Sequence, residues 1–304
     1  MNLTIHPGNP GRLFITLISG LILSINSIAQ EEPRSSFFWN QYMHTNPAMT
    51  GAIYKHHANV QWRNQWTRIN GAPTTLWTNY AAKIDKINSG IGASYEYDVI
   101  GYTKSHSAML SYAYHIPIKK MFLSIGASGG IKTLKTDFSK LVFSQIPDPA
   151  AINRTYNPVF QCDFGIALHS EKWNVGLSGT QLNGGSFRDS IYSIKQRPQI
   201  WLFADYAFGL GEKWKLTPRL QTYVNYYTIG TIIALEARFK ENFWFGCTSS
   251  FPDFSGMVAI GPMIGYDILG KFRVGYTYEF YLNNHVGSIT NNGTHEIVLS
   301  YQLK

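Results

Sequence analysis

The sequence predicts an all-β fold: a transmembrane antiparallel β-barrel of about fourteen strands, preceded by a signal peptide and a short N-terminal periplasmic segment. Three observations predict it. Beyond residue 57 the 304-residue chain breaks into short segments in which apolar and polar residues alternate, the period of a strand whose two faces meet different surroundings. The connections between them alternate between short charged turns and generally longer loops. The one long apolar run, Leu13 to Ile28, lies at the very start.

That run is the first element. Arg12 precedes it and Ser27-Ile28-Ala29 follows it, so residues 1–29 read as a signal peptide cut before Gln30. A membrane helix needs about 20 apolar residues; this run is shorter and is broken by Thr16, Ser19, Ser24 and Asn26. No Cys follows the cut, so no lipid anchor is expected there. The expected organisation is then a leader over 1–29, a periplasmic segment over 30–57 and a barrel over 58–304.

The strands follow in order. Ala58–Trp66 and Thr74–Lys83 come first. In Ser89–Asp98, Ile91, Ala93, Tyr95 and Tyr97 share one face. Lys104–His115 groups Ala108, Leu110, Tyr112 and Tyr114, and Phe122–Thr133 groups Leu123, Ile125, Ala127 and Ile131. Val159–His169 alternates most cleanly, with Phe160, Cys162, Phe164, Ile166 and Leu168 on one side and Gln161, Asp163, Gly165 and Ala167 on the other. Trp173–Leu182, Gln199–Leu210, Trp214–Val224, Thr228–Phe239, Phe243–Ser250, Gly256–Tyr266, Phe272–Phe280 and Glu296–Lys304 complete the set. The register of Ala58–Trp66 is blurred by Asn64, and Gly256–Tyr266 is apolar on both faces.

The connections separate a membrane barrel from a soluble sandwich. Asp85-Lys86, Lys119-Lys120, Glu171-Lys172, Glu212-Lys213, Lys240-Glu241 and Gly270-Lys271 are short and charged. Leu134–Pro158, Asn183–Pro198 and Leu282–Thr294 are long. An even-stranded barrel with both termini in the periplasm produces that parity, and a sandwich does not. Aromatics make up 15% of the chain. Trp66, Trp77, Tyr114, Trp173, Phe208, Trp214, Phe243 and Tyr301 are expected to form a girdle at headgroup level. Charged residues are only 14%, against a usual share of roughly 25%. The formal charge is +8, yet no Lys/Arg run of the usual five to eight or so residues points to nucleic acid. Cys162 and Cys247 lack metal or redox spacing and read as small apolar residues facing lipid.

The polar faces hold Arg63, Glu96, Asp163, Asp205, Arg219, Glu236, Arg238, Arg273 and Glu279, which read as a cross-paired lumen. His56 and His57 are adjacent on a strand, so they point to opposite faces and cannot easily share an ion. GxSxG, HExxH and GxxxxGK[ST] motifs are absent. No enzyme, metal or cofactor is expected.

Short motifs at the two ends are more specific. Asn40-Gln41-Tyr42-Met43 leads to Asn46-Pro47-Ala48-Met49-Thr50-Gly51, then Trp62-Arg63-Asn64-Gln65-Trp66, then Gly71-Ala72-Pro73-Thr74-Thr75. Tyr112-Ala113-Tyr114-His115-Ile116-Pro117 follows, and Gly293-Thr294-His295-Glu296-Ile297-Val298-Leu299-Ser300-Tyr301 closes the chain. In order and spacing these resemble the PorP/SprF family of Bacteroidota outer-membrane proteins. Tyr97-Asp98-Val99-Ile100-Gly101 keeps only part of that family's hairpin motif, and the chain ends Leu303-Lys304 where many barrels end on an aromatic. The resemblance implies a part in type IX secretion and gliding motility at the outer membrane, by docking, escorting or anchoring a large secreted surface adhesin or by linking to periplasmic ring or peptidoglycan-linked components. It singles out Asn46, Pro47, Gly51, Arg63, Asn64, Gln65, Trp66, Gly71, Pro73, Thr74, His295 and Glu296 as interaction candidates. Arg63 is expected to enter the lumen and meet a carboxylate. Segment 30–57 and the turns are expected to meet machinery, and the long loops a surface partner. The alternative is a passive channel or apolar-solute transporter.

Overall fold

The computed structural model describes residues 32–139, 153–190, 192–226, 228–251, 258–282 and 293–303. Fourteen antiparallel strands form the wall. They are β1 His56–Asn64, β2 Thr74–Ile84, β3 Ser89–Ile100, β4 Thr103–Ile118, β5 Met121–Thr136, β6 Val159–His169, β7 Trp173–Thr180, β8 Gln199–Tyr206, β9 Trp214–Val224, β10 Ile229–Phe239, β11 Phe243–Phe251, β12 Ala259–Ile268, β13 Phe272–Tyr281 and β14 Thr294–Leu303. Each pairs with the next, and β14 returns to β1 with His56 opposite Leu303 and Asn64 opposite His295. The ring is closed, so no strand edge is left open.

Every expected segment contributes a strand, with local differences. β1 ends at Asn64 and not at Trp66, because Trp66 takes a left-handed φ of 47° in the turn that follows. β5 runs on to Thr136, past the expected start of the long loop. β8 is interrupted only at Ala207, whose N–H still donates to Lys172 O in the β7 register, and Phe208–Leu210 carries the strand on, paired with β9 in the same register as Gln199–Tyr206. Gly256 and most of two long loops lie outside the described residues. Two connections at the loop end, 101–102 and 225–228, are as short as the turns opposite. These two differ from the turns in charge: all six turns carry Lys, whereas these two connections read Gly-Tyr and Asn-Tyr-Tyr-Thr.

The wall is inverted relative to a water-soluble protein. Along β4, Ser105, Ser107, Ser111 and His115 are buried while Leu110, Tyr112 and Tyr114 are exposed. The same inversion puts Phe160, Phe164 and Ile166 outside and Gln161 inside on β6. Polar residues inside and apolar residues outside are what a lipid solvent selects. The wall resolves the two doubtful registers. Val60 and Trp62 face out, Gln61 and Arg63 face in, and Asn64 ends β1 with its amide donating to Thr74 Oγ1 at 3.0 Å. On β12 the inward residues Gly261 and Gly265 are small because Thr277, Glu279 and Trp244 fill the space beside them. Trp77 corrects the girdle: it is 1% exposed, points inward, and donates Nε1–H to Glu96 at 2.9 Å. Both cysteines are free, Cys247 exposed and Cys162 half-buried.

The lumen is filled by the chain's own N-terminal segment. Phe38–Gln41 and Pro47–Met49 are short 3₁₀ turns flanking a single helical turn, Tyr42–Thr45. Four residues are too few for a helix stable by itself, so packing holds this segment. Phe37, Phe38, Trp39, Tyr42, Ala48 and Met49 form a core with Phe203, Ile232, Ala234, Trp244, Met263 and Val298 of the wall. Full burial of each large side chain stabilises by roughly 1.5–3 kcal/mol, so the plug is an integral part of the fold.

Candidate functional site: the lumen plug and its clamps

The plug starts on the loop side. Glu32 meets Lys132 and Gln181, and Ser35 and Ser36 meet Glu296 and Glu279, all at or near the loop ends of their strands. It descends to the short-turn end, where Asn40 meets Arg273 and Tyr42 meets Asp205. It rises again at Thr45, whose carbonyl accepts from Ser178 Oγ at 2.6 Å. It leaves through Thr50 and Lys55 into β1.

Three ionic clusters clamp it. On the loop side Arg63 bridges two carboxylates, Glu279 Oε2 at 2.7 Å and Glu296 Oε2 at 2.5 Å. Arg63 and Glu296 sit directly opposite across the β1–β14 pair that closes the barrel. One guanidinium faces two carboxylates, and the plug supplies the missing donors. Ser35 Oγ donates to Glu296 Oε1 at 2.8 Å, Ser36 N–H to Glu296 Oε2 at 3.0 Å, and Ser36 Oγ to Glu279. Gln61 adds its amide to Glu296 and Ser35. Near the short turns, Asp267 accepts from Arg273 at 2.9 Å, from Arg238 at 2.5 Å and from Trp244 Nε1 at 3.1 Å, and Arg238 also holds Glu236 at 2.8 Å. The plug joins this cluster through Asn40 Oδ1, which accepts from Arg273 at 3.0 Å, and through the Tyr42 hydroxyl, which donates to Asp205 at 2.6 Å. Burial and then the Asp205 charge hold Tyr42 well above the ordinary phenol range, so it remains a donor. The third cluster centres on Glu96, which accepts from Trp77 at 2.9 Å and from His44 of the plug at 3.0 Å. Burial opposes a charge on His44, but the bond to Glu96 and its charge outweigh it and raise His44 above the usual imidazole range.

The candidate residues divide between two places. Asn46, Pro47 and Gly51 belong to the plug. Asn46 Oδ1 accepts from Ala48 N at 3.0 Å, capping the turn that Pro47 begins, while its Nδ2 donates to Ile166 O and Leu177 O of the wall. Gly51 turns with φ 67°, and a Cβ there would lie 2.9 Å from Ala82 O. Space for this loop comes from wall glycines: a Cβ on Gly165 would fall 2.1 Å from Asn46 Oδ1, and one on Gly126 2.5 Å from Ala48 N. The other nine candidates gather at the loop end of β1, β2 and β14. Arg63 and Glu296 make the clamp. Gln65 N–H donates to Pro73 O at 2.9 Å, and Trp66 N–H to Thr294 Oγ1 at 3.4 Å. Gly71, at φ 79°, accepts from Gly101 N–H at 2.8 Å and so ties the first loop to the third hairpin. Asn64 and Thr74 pair as described. His295 faces outward, its Nδ1 bonded to the Tyr276 hydroxyl at 2.8 Å.

Sequence reasoning missed Phe37, Phe38 and Trp39 as a core, Ser35 and Ser36 as clamp donors, and the wall glycines as a cradle. An aromatic triplet right after a leader, ahead of the first strand, was the signal available. His56 and His57 do diverge: His56 bonds the Tyr80 hydroxyl at 2.8 Å, and His57 stacks on Tyr54. Ser124 lies between His115 at 2.6 Å and His169 at 2.8 Å, wholly buried, so no substrate reaches its hydroxyl. Among the described residues no three or more His, Cys, Asp or Glu side chains form a metal-holding group.

Residues 27–301 match the family described as type IX secretion system membrane protein PorP/SprF. No curated protein matches the chain. Among solved structures, the Acinetobacter baumannii outer membrane protein Omp33 is similar at 10% identity over 84% of this chain and 100% of that one, with a TM-score of 0.49. The Ralstonia pickettii toluene transporter TbuX is similar at 11% identity over 86% and 92%, with a TM-score of 0.49. The KdgM porin is similar at 7% identity over 82% and 99%, with a TM-score of 0.38.

Proposed function

Since the chain belongs to the PorP/SprF family of type IX secretion system membrane proteins, we propose that it is a plugged docking barrel of that system in the bacterial outer membrane. It works by its rims: it docks, escorts or anchors a large secreted surface adhesin on the loop side and links to periplasmic ring or peptidoglycan-linked components on the turn side. Residues 1–29 act as a cleaved leader, and the short turns face the periplasm. The observation that carries this reading is the filled lumen. Six large plug side chains, Phe37 to Trp39, Tyr42, Met43 and Met49, are buried inside the ring. A barrel whose interior is a protein core offers partners its loops, turns and lipid-facing wall. Contact with machinery therefore falls to the turns, since most of segment 35–50 is enclosed.

The passive-channel alternative needs a continuous aqueous path past that core. Deleting the gene tests the docking reading: at least one large surface protein is expected to vanish from the cell exterior, and an unchanged surface proteome refutes it. Planar-bilayer recording tests the alternative, which steady conductance from the intact protein would favour.

A further inference from the structure

Between the plug and the wall from β3 to β8 lies a cavity of about 60 Å³. Three carboxylates line it, Glu32, Glu96 and Asp163, against the Lys132 ammonium and the His44 imidazole. Lys132 Nζ stands 2.9 Å from both oxygens of Glu32 and 3.6 Å from Glu96. The site thus already holds one ammonium between two carboxylates, and its charge stays negative even with His44 protonated. A second observation is independent of that charge. Gln199, 3% exposed and the first residue of β8, also lines the cavity, and its Oε1 has no hydrogen-bond partner. A buried acceptor left unmade calls for a donor. Charge and hydrogen bonding therefore ask for the same thing, a cation bearing N–H groups. A water needs only about 10–15 Å³ of such space, so the cavity has room for one small cationic head. It opens toward the loops: Gln199 begins β8, Thr180 ends β7, and the Glu32 and His44 side chains keep 25% and 21% of their surface exposed.

We propose that this pit binds the cationic head of a lysine or arginine side chain presented from the loop side. The source of that side chain rests on the docking reading above, whereas the recognition belongs to the barrel alone and is measured without a partner. Full-length mature protein in detergent micelles is titrated calorimetrically, at constant ionic strength, with methylguanidinium, methylammonium and tetramethylammonium chlorides. Saturable binding is expected for a cation with N–H donors, and none for tetramethylammonium, which has the charge without the donors. Gln199→Leu is expected to weaken binding about tenfold, the worth of one hydrogen bond to a charged group. If that variant does not fold, Gln199→Glu places a charge at the same position and is expected to tighten binding by a similar factor. The proposal is overturned by no saturable binding of either donor cation, by equal binding of all three, or by an affinity unchanged in either folded variant. A surface proteome untouched by gene deletion, with cation binding intact, would instead sink only the docking reading.

Discussion

The plug meets two different walls. Against β13, β14 and β1 it is fastened: Arg63 lies within 2.7 Å of both its carboxylates, and plug donors complete the coordination of Glu279 and Glu296. Against β3 to β8 it leaves a polar cavity with one acceptor unused. The same segment therefore serves as cork on one side and as half of a recess on the other. A buried ion pair is seldom worth more than its desolvation cost. Its value here is positional: the guanidinium and two carboxylates accept one arrangement of Ser35 and Ser36, which fixes where the rest of the segment must run.

Breaking the fastened side should have the largest effect. Arg63→Met removes the guanidinium that bridges two buried carboxylates, and breaking a buried pair by removing one partner costs about 3–5 kcal/mol. The expected outcome is a barrel that unfolds at lower temperature in heat-modifiability gels and whose N-terminal segment becomes sensitive to protease. Gln199→Leu on the open side should leave both unchanged. If the two variants behave alike, the distinction between the walls is wrong.

The cradle should come next. Gly165→Leu puts side-chain atoms where Asn46 Oδ1 now sits, and overpacking of this kind costs about 1–3 kcal/mol. Strand pairing around Gly165 does not require glycine, so the barrel is expected to form with its plug displaced. Single-channel recording is then expected to show a higher conductance for the variant than for the native protein.

That dependence explains what could be read in the sequence. The wall was legible because alternation along a strand is local: Phe160 to His169 betray their two faces without reference to any other segment. Arg63 was legible as an inward cation for the same reason. The plug was not, since residues 32–55 have no period and their shape comes from contacts with strands more than a hundred residues away, such as Asn46 with Ile166 and Leu177. Trp77 was misplaced for a related reason. An aromatic at an inward position looks like a girdle residue until its partner, Glu96 on the neighbouring strand, is known. The terminal motifs lay far apart in sequence, yet Arg63 and Glu296 are directly opposed. A motif names the residues, whereas only closure of the ring shows that two of them form one clamp.

The smallest effect should come from pH, on the side of the plug facing the pit. His44 binds its proton more tightly in the folded protein than in an ordinary exposed imidazole, because Glu96 outweighs burial. A group whose folded pKa is raised adds stability that is fully present below its unfolded pKa, about 6.5 for histidine, and is lost as pH rises through the folded value. The plug should therefore be held most firmly in mild acid and loosen modestly on going to alkaline pH. His44→Gln keeps a donor toward Glu96 but cannot titrate, so the difference in thermal midpoint between native and variant, measured from pH 5 to 9, isolates this group and should shrink as pH rises. A difference that stays constant or grows with pH would show that the Glu96 cluster does not govern how the segment is held.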